Sequence, residues 1–408
     1  MTIASNKKGA QRGVNGLPRR YVIILGALIG LLIPSNAALA GPPDPPTQWI
    51  LQLNDNGAYY SNDLSPRKSG GQNLAYSSLA YVTKDWGITL LGSYADTTYN
   101  YGNPGITNDF HLASFLDSSV STYYKLPKLA YFETRLGVDA NLPTGHAGLS
   151  NREVSSLFVD NVIRELVPVP SFGRGLNIIP NVVVSADVGK LSTGLGIRYE
   201  ITGAYNPTPD VPNSTYDPGD TATYFASMLY NHSERAQTLL DLSAIFSTRD
   251  KQGGKEVFLQ GTAYSANWHF IRTFEVTRLT FGASYGWQEK NQSYDGAKMT
   301  TEDSNTNGNT WEGQIIGLRQ ISKTFYLNGS AGLKTVVANG YDKADALYDP
   351  GYQKVYVGCG FTKSVSTKLS WTVNLNLFQL WNGTDWLEPV AAVYRGGSAD
   401  VGFVYTWN

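Results

Sequence analysis

One cysteine and four histidines in 408 residues leave little material for covalent or redox chemistry. The lone Cys359 cannot close an internal disulfide, and the absence of any C-x-x-C-H excludes covalently held haem and electron conduction by this chain alone. Hydrolysis needs a Ser–His or Asp–His arrangement. His111, His146, His232 and His269 instead fall in predicted loops, turns and a link, with no recognisable partner. The sequence reads as a non-enzyme that calls for no cofactor. Asp303-Ser-Asn-Thr-Asn-Gly308 supplies only half of a calcium loop, because Gln314 stands where the closing bidentate acid belongs.

A long apolar run is missing as well. Past residue 40 nothing approaches the roughly 20 residues that a membrane-crossing helix needs. The first 40 residues hold Lys7, Lys8, Arg12, Arg19 and Arg20 and no acid, then the uncharged Tyr21–Ile33, Pro34 and Ala38-Leu39-Ala40. That order reads as a secretory signal peptide over 1–40, followed by a Pro-rich lead over 41–48 and a barrel over 49–408. Without those five cations, 27 basic residues face 33 acidic ones, so a basic face for nucleic acid is excluded.

What the chain does have is alternation. In the terminal Ser398–Asn408, Ala399, Val401, Phe403, Tyr405 and Trp407 share one face, and Asp400, Gly402, Val404 and Thr406 the other. A strand this regular at a chain end requires a partner, most economically the first strand of a closed barrel. Comparable segments recur at 49–53, 74–82, 86–94, 120–126, 130–140, 181–188, 195–205 and 221–230. They continue at 238–247, 255–266, 279–287, 311–320, 325–335, 354–361, 369–380 and 399–407, a count of about sixteen, with fourteen or twelve as the alternatives. The links alternate between short (83–85, 127–129, 321–324) and long (54–73, 95–119, 141–180), with 267–278 fitting least well among the short ones. Short turns at one end and long loops at the other predict an all-β, transmembrane, antiparallel up-and-down β-barrel of the bacterial outer membrane. Trp49, Trp86, Trp268, Trp287, Trp311, Trp381 and Trp407 fall at or beside predicted strand ends, where a membrane interface places such rings.

On the 130–140 strand, Tyr131, Glu133, Arg135 and Asp139 oppose Phe132, Leu136 and Val138, and Arg198 and Glu200 oppose Ile197, Tyr199 and Ile201. A mid-plane Arg facing lipid costs about 2–4 kcal/mol, so the charged set is expected to line the pore. Two readings stand: charges that pair across the lumen to fill it, or a polar wall along a solute path. Within the longest loop, Ser150 and Glu153 form a capping box, and Val154, Leu157, Phe158, Val162 and Leu166 recur at helical spacing. This one predicted loop helix is expected to constrict the channel, with rim packing and partner contact as alternatives.

Gly137-Val-Asp-Ala-Asn-Leu-Pro-Thr-Gly145 resembles the strand-to-loop segment of outer-membrane proteins grouped under meta-pathway phenol degradation, relatives of FadL-like transporters. The resemblance implies passive uptake of small hydrophobic or aromatic solutes. The alternatives are a general diffusion porin and an adhesion or scaffold barrel with a blocked lumen. Expected partners are membrane lipid, lipopolysaccharide, a small-molecule solute and, through Val401, Phe403, Tyr405 and Trp407, the outer-membrane assembly machinery. The terminal Ser398–Asn408 resembles the closing strand of such barrels, which alternates apolar residues and ends on an aromatic, and departs from it in carrying Asn408 after Trp407. N-terminal sequencing of the membrane-associated protein is expected to begin at Gly41; a mature chain that retains Tyr21–Ile33 refutes the cleaved leader.

Overall fold

The computed structural model describes residues 47–65, 67–100, 109–146, 150, 173, 175–206, 215–384 and 390–408. The predicted leader, most of the Pro-rich lead and the predicted loop helix with Val154, Leu157, Phe158, Val162 and Leu166 lie outside them.

The wall opens with β1 (Gln48–Asn62), β2 (Ser69–Val82) and β3 (Trp86–Asn100), then a strand broken into β4 (Asp109–Phe115) and β5 (Ser118–Lys125). It continues through β6 (Phe132–Leu142), β7 (Asn177–Val188) and β8 (Leu191–Glu200); the short β9 (Tyr216–Asp217) precedes β10 (Thr221–Ser233) and β11 (Ala236–Ser247). Then come β12 (Asp250–Gln252), β13 (Lys255–Leu259), β14 (Ala263–Phe274), β15 (Thr277–Gln288), β16 (Gln292–Tyr294) and β17 (Met299–Thr301). The chain ends with β18 (Thr310–Ser322), β19 (Phe325–Val336), β20 (Tyr352–Ser364), β21 (Leu369–Asn382) and β22 (Ala392–Trp407).

With β4 and β5 counted as one interrupted strand, these form a closed antiparallel barrel of sixteen strands. Closure is made by β1 and β22, in register from Trp49↔Trp407 to Asn62↔Tyr394. Every wall strand pairs with its sequence neighbour in the wall, so the ladder leaves no long edge to attract another chain. At the short-turn end the rings of Trp407, Trp49, Tyr81 and Trp86 form a row, with successive centroids 6.1, 4.8 and 5.3 Å apart. Near the long-loop end Tyr264 stacks on Trp287 at 5.0 Å and Tyr285 lies 4.2 Å from Trp311. Between these rows the outward side chains are mostly apolar and exposed, Leu53, Leu90, Leu242, Ile315 and Leu375 among them.

Several strand boundaries differ from the sequence reading. The expected strand 255–266 is two elements: β13, which leaves the barrel, and β14, which runs on to Phe274. The ill-fitting link 267–278 is thereby reduced to the two residues 275–276. His269 and Arg272 interrupt the apolar count there and hide a strand whose outward face is Ala266, Trp268, Phe270 and Phe274. Trp268 accordingly sits within β14, opposite Ala283, and not beside a strand end. The loop expected over 54–73 shrinks to 63–68, because β1 and β2 pair continuously from Gln48↔Val82 to Ser61↔Ser69. The strand expected over 195–205 runs instead from Leu191 to Glu200.

The resemblance-bearing segment has a local structural task. β4 pairs with β3 alone, and at the break before β5 the Asp117 side chain is buried. Asp117 accepts hydrogen bonds from Asn141 Nδ2 at 3.0 Å and from the Gly145 N–H at 2.9 Å. The Ser118 N–H donates to Thr144 Oγ1 at 2.8 Å, and the His146 N–H to the Phe115 carbonyl at 3.2 Å. A Cβ at Gly145 would lie 2.7 Å from Asp117 N and 2.8 Å from Leu116 C, both backbone atoms that cannot swing aside. Gly145→Ala is expected to destabilise the folded barrel by about 1–3 kcal/mol, read as a lower urea midpoint with unchanged slope; an unchanged midpoint refutes the close-approach account.

Candidate functional site: the lumen wall

The interior face is identified by packing. Tyr352 of β20, Tyr394 of β22, Tyr60 of β1 and Tyr99 of β3 belong to one buried cluster with Phe378 and Leu380. These strands lie along one arc of the wall, and rings buried to this degree lie on its concave inner face. Cross-strand pairs share a face, so the register carries this assignment round the barrel. Asn54↔Gly402, Asn374↔Asp400 and Asn328↔Gly360 place the amides of β1, β21 and β19 inside.

The same rule places Arg135 opposite Lys125 and Asp139 opposite Ser121, with Glu133 on their face of β6. Arg198 lies opposite Asn181 and Thr223, and Glu200 opposite Thr221. These five share the interior register, whereas Phe132, Leu136, Phe403 and Tyr405 are exposed on the outer wall. Tyr131 is not on the strand. It occupies the turn before β6, beside Ala130 at φ 55°, and is exposed at the short-turn rim. The turn is closed by a Leu129↔Phe132 bridge, which starts β6 one residue beyond it.

Apart from Arg198, whose buried Nε finds no hydrogen-bond partner among the described residues, these charges are held by the wall beside them. Arg135 Cζ lies over the Tyr123 ring, 3.7 Å from its centroid. Asp139 accepts from Asn181 Nδ2 at 3.4 Å, and Glu200 from Asn177 Nδ2 at 3.0 Å. Asp241 accepts from Ser227 Oγ at 2.6 Å, and Asp400 from Asn374 Nδ2 at 3.0 Å. Among the described residues Glu133 alone of the five ion-pairs, with Lys128 at 3.5 Å on the rim. None of these contacts reaches across the lumen.

Glycine makes room for this arrangement. Gly87, Gly196, Gly332 and Gly396 face inward, and a Cβ at each would collide with the neighbouring ring of Tyr123, Phe225, Tyr356 or Phe378. The rings therefore lie in recesses of the wall and do not project across the lumen. Gln52, Asn54, Asn56, Asn374 and Asn376 keep part of their surface accessible. The clusters at the long-loop end are closed: Tyr60 and Tyr394 are 0% exposed and Tyr99 1%.

The sequence reading did not single out the amides, although Val373-Asn374-Leu375-Asn376-Leu377 alternates plainly enough to show them. Asn328 Nδ2 donates to Asn374 Oδ1 at 2.9 Å, which links them into a file with Asp400. Cys359 is exposed on the outer face, paired with Gly329 and Leu375. Asn305 and Asn307 of the half calcium loop tie it to the end of β15: Asn305 Nδ2 donates to the Gln288 carbonyl at 2.8 Å and Asn307 Nδ2 to that of Glu289 at 3.1 Å.

The long-loop end carries a second sheet of five short strands, in the order β17-β16-β13-β12-β9, drawn from loops 201–220, 248–262 and 289–309. Asp295, at the tip between β16 and β17, is lowered to about 2 by the Lys298 and Ala297 N–H groups and the Thr300 hydroxyl.

No protein-family profile matches the sequence, and no curated protein matches it. Among solved structures it is similar to a FadL homologue of Pseudomonas aeruginosa, at 10% identity over 88% of this chain and 90% of that one, with a TM-score of 0.43. It is similar to the P. putida toluene transporter TodX at 9% identity over 90% of each chain, TM-score 0.42. An anion-selective porin from Comamonas acidovorans matches at 11% identity over 88% of this chain and 98% of that one, TM-score 0.40. At such identities and with TM-scores below 0.5, these similarities identify neither a family nor a solute.

In a Cys359→Ser background, cysteines at Glu133, Asp139 and Arg198 are expected to react with a membrane-impermeant maleimide that enters the lumen, while cysteines at Leu136 and Phe403 stay unlabelled in intact membranes. Reversal of the two sets would mean that the faces are exchanged.

Proposed function

We propose that the chain is an outer-membrane channel through which small solutes diffuse passively. The observation that carries the proposal is the arrangement of interior charge: Arg135, Asp139 and Glu200 are held by neighbouring side chains of the wall, and neither they nor Arg198 form an ion pair across the lumen among the described residues, while the amides of β1 and β21 stay accessible. Sixteen strands enclose more width than side chains lying in the wall can fill. A scaffold barrel with its lumen filled by paired charges fits this poorly. Membrane residence is supported by the apolar band between two aromatic rows, a continuous exposed apolar surface of a kind that marks a membrane or protein partner.

The wall chemistry favours small polar solutes over the hydrophobic or aromatic ones that the Leu142-Pro143-Thr144-Gly145 resemblance implies. Gln52, Asn54, Asn374 and Asn376 present donors and acceptors to the lumen. The aromatic alternative would draw on Tyr60, Tyr99 and Tyr394, but these rings are buried against one another and offer a passing solute no face. The expectation of a loop constriction from Val154, Leu157, Phe158, Val162 and Leu166 stands as part of this proposal.

Reconstituted into liposomes, the protein is expected to accelerate swelling in small sugars and to give ohmic steps in planar bilayers. Arg135→Glu should move the reversal potential in a salt gradient toward cation preference, because it inverts one charge on the lumen wall. Silent bilayers together with unchanged swelling would leave the blocked scaffold in place of the channel.

A further inference from the structure

The outer wall is apolar over most of its circumference but is interrupted by polar side chains midway along β1 and β2. Outward positions of a barrel in lipid are expected to be apolar, yet Asp55 points outward midway along β1, opposite Ala75 and Val401. Leu53 lies below it and Tyr59, 60% exposed, above it, so the carboxylate falls within the apolar band and not beyond its edge. On β2, Ser77 and Asn73 also face outward, opposite Leu53 and Gly57 of β1, which places them diagonally to either side of Asp55. All three polar side chains are exposed, and none makes a hydrogen bond or ion pair among the described residues. Several of their neighbours are small, Ala75 beside Asp55, Gly57 beside Asn73 and Gly92 beside Ser77, while the acid across from Asn73, Asp96, is already paired with His111 at 3.1 Å.

Hydrocarbon gives such groups no partner, which makes their exposure to lipid costly. They cannot turn inward for relief either, because the lumen side of the same wall is packed with the buried Leu74, Ala95 and Leu116. The patch is complementary to itself. Asp55 only accepts hydrogen bonds, whereas Asn73 and Ser77 can donate, so two copies placed face to face supply each carboxylate with the donors it lacks. The small neighbours allow the close backbone approach on which association in membranes depends.

We propose that the outer face of β22–β1–β2–β3 around Asp55 is the interface on which a second copy of this chain docks within the membrane, in the self-complementary manner of a two-fold dimer. The proposal rests on the membrane-barrel reading above. Protein extracted from membranes in mild detergent is expected to show twice the barrel mass by native mass spectrometry. Asp55→Leu and the double variant Asn73→Leu/Ser77→Leu should each weaken the dimer at least tenfold and run at single mass, while their gel mobility still shifts on heating as for a folded barrel. Leu242→Asn, on a wall distant from the patch, should leave the dimer intact. A folded parent barrel of single mass, an Asp55→Leu variant that dimerises like the parent, or a parent that co-purifies with a different protein at this face would each overturn the interface while leaving the channel reading standing. Recovery of the chain as a soluble periplasmic protein would overturn the membrane reading itself.

Discussion

Everything in this molecule depends on the pairing of its first strand with its last. Fourteen residue pairs join β1 to β22, and they convert what would be two long unsatisfied edges into one more rung of a ring. Once the sheet is closed, inside and outside are fixed for every strand, because side chains alternate and a slip of one residue would exchange the two faces along its whole length. The stacked Trp49 and Trp407 stand at the base of that seam, where terminal strands would otherwise fray. The polarity of the wall, the recessed rings and the position of each charge follow from this one ladder.

Closure also creates the interior problem that the glycines solve. Inward side chains on a concave wall converge, and large ones would meet in the middle unless they lay down against a neighbouring strand. Phe225 over Gly196 and Tyr356 over Gly332 show the solution, a ring set into the gap left by an absent Cβ. The charges follow the same habit, with Arg135 over Tyr123 and Glu200 tied to Asn177. Polar groups satisfied along the wall can be hydrated from the lumen without being bridged across it. The packed Tyr60, Tyr99 and Tyr394 cluster departs from this pattern, and it lies toward the long-loop end.

The ladder was legible in the sequence to the extent that its strands alternate without interruption. Ala399–Trp407 declares its outward face by pattern alone, and so does Phe132–Ala140, whose charged side the register places within the barrel. Where the pattern is broken the reading slips. His269 and Arg272 conceal the second half of β14, and Gly396 and Gly397 conceal the first half of β22, since a glycine carries no side chain to declare a face. Tyr131 looked like an interior residue because alternation says nothing of where a turn ends. The amide file escaped notice for another reason: Asn328 and Asn374 lie far apart in the chain and meet only across β20, and Asn54 joins their face only through closure. Asp55 was invisible as an anomaly until its face was known.

The small sheet at the long-loop end has a consequence for how this protein can vary. Surface loops usually change length and composition independently, because each is anchored only to the two strands it connects. Here 201–220, 248–262 and 289–309 share backbone hydrogen bonds, Lys251 with Asp217 and Phe258 with Ser293, so the three have a common register. A residue inserted into one of them displaces the partners of the other two. Drift in this region is therefore collective: the three loops must change together or hardly at all, and the most exposed part of the molecule is bound by the pairing discipline of the wall beneath it.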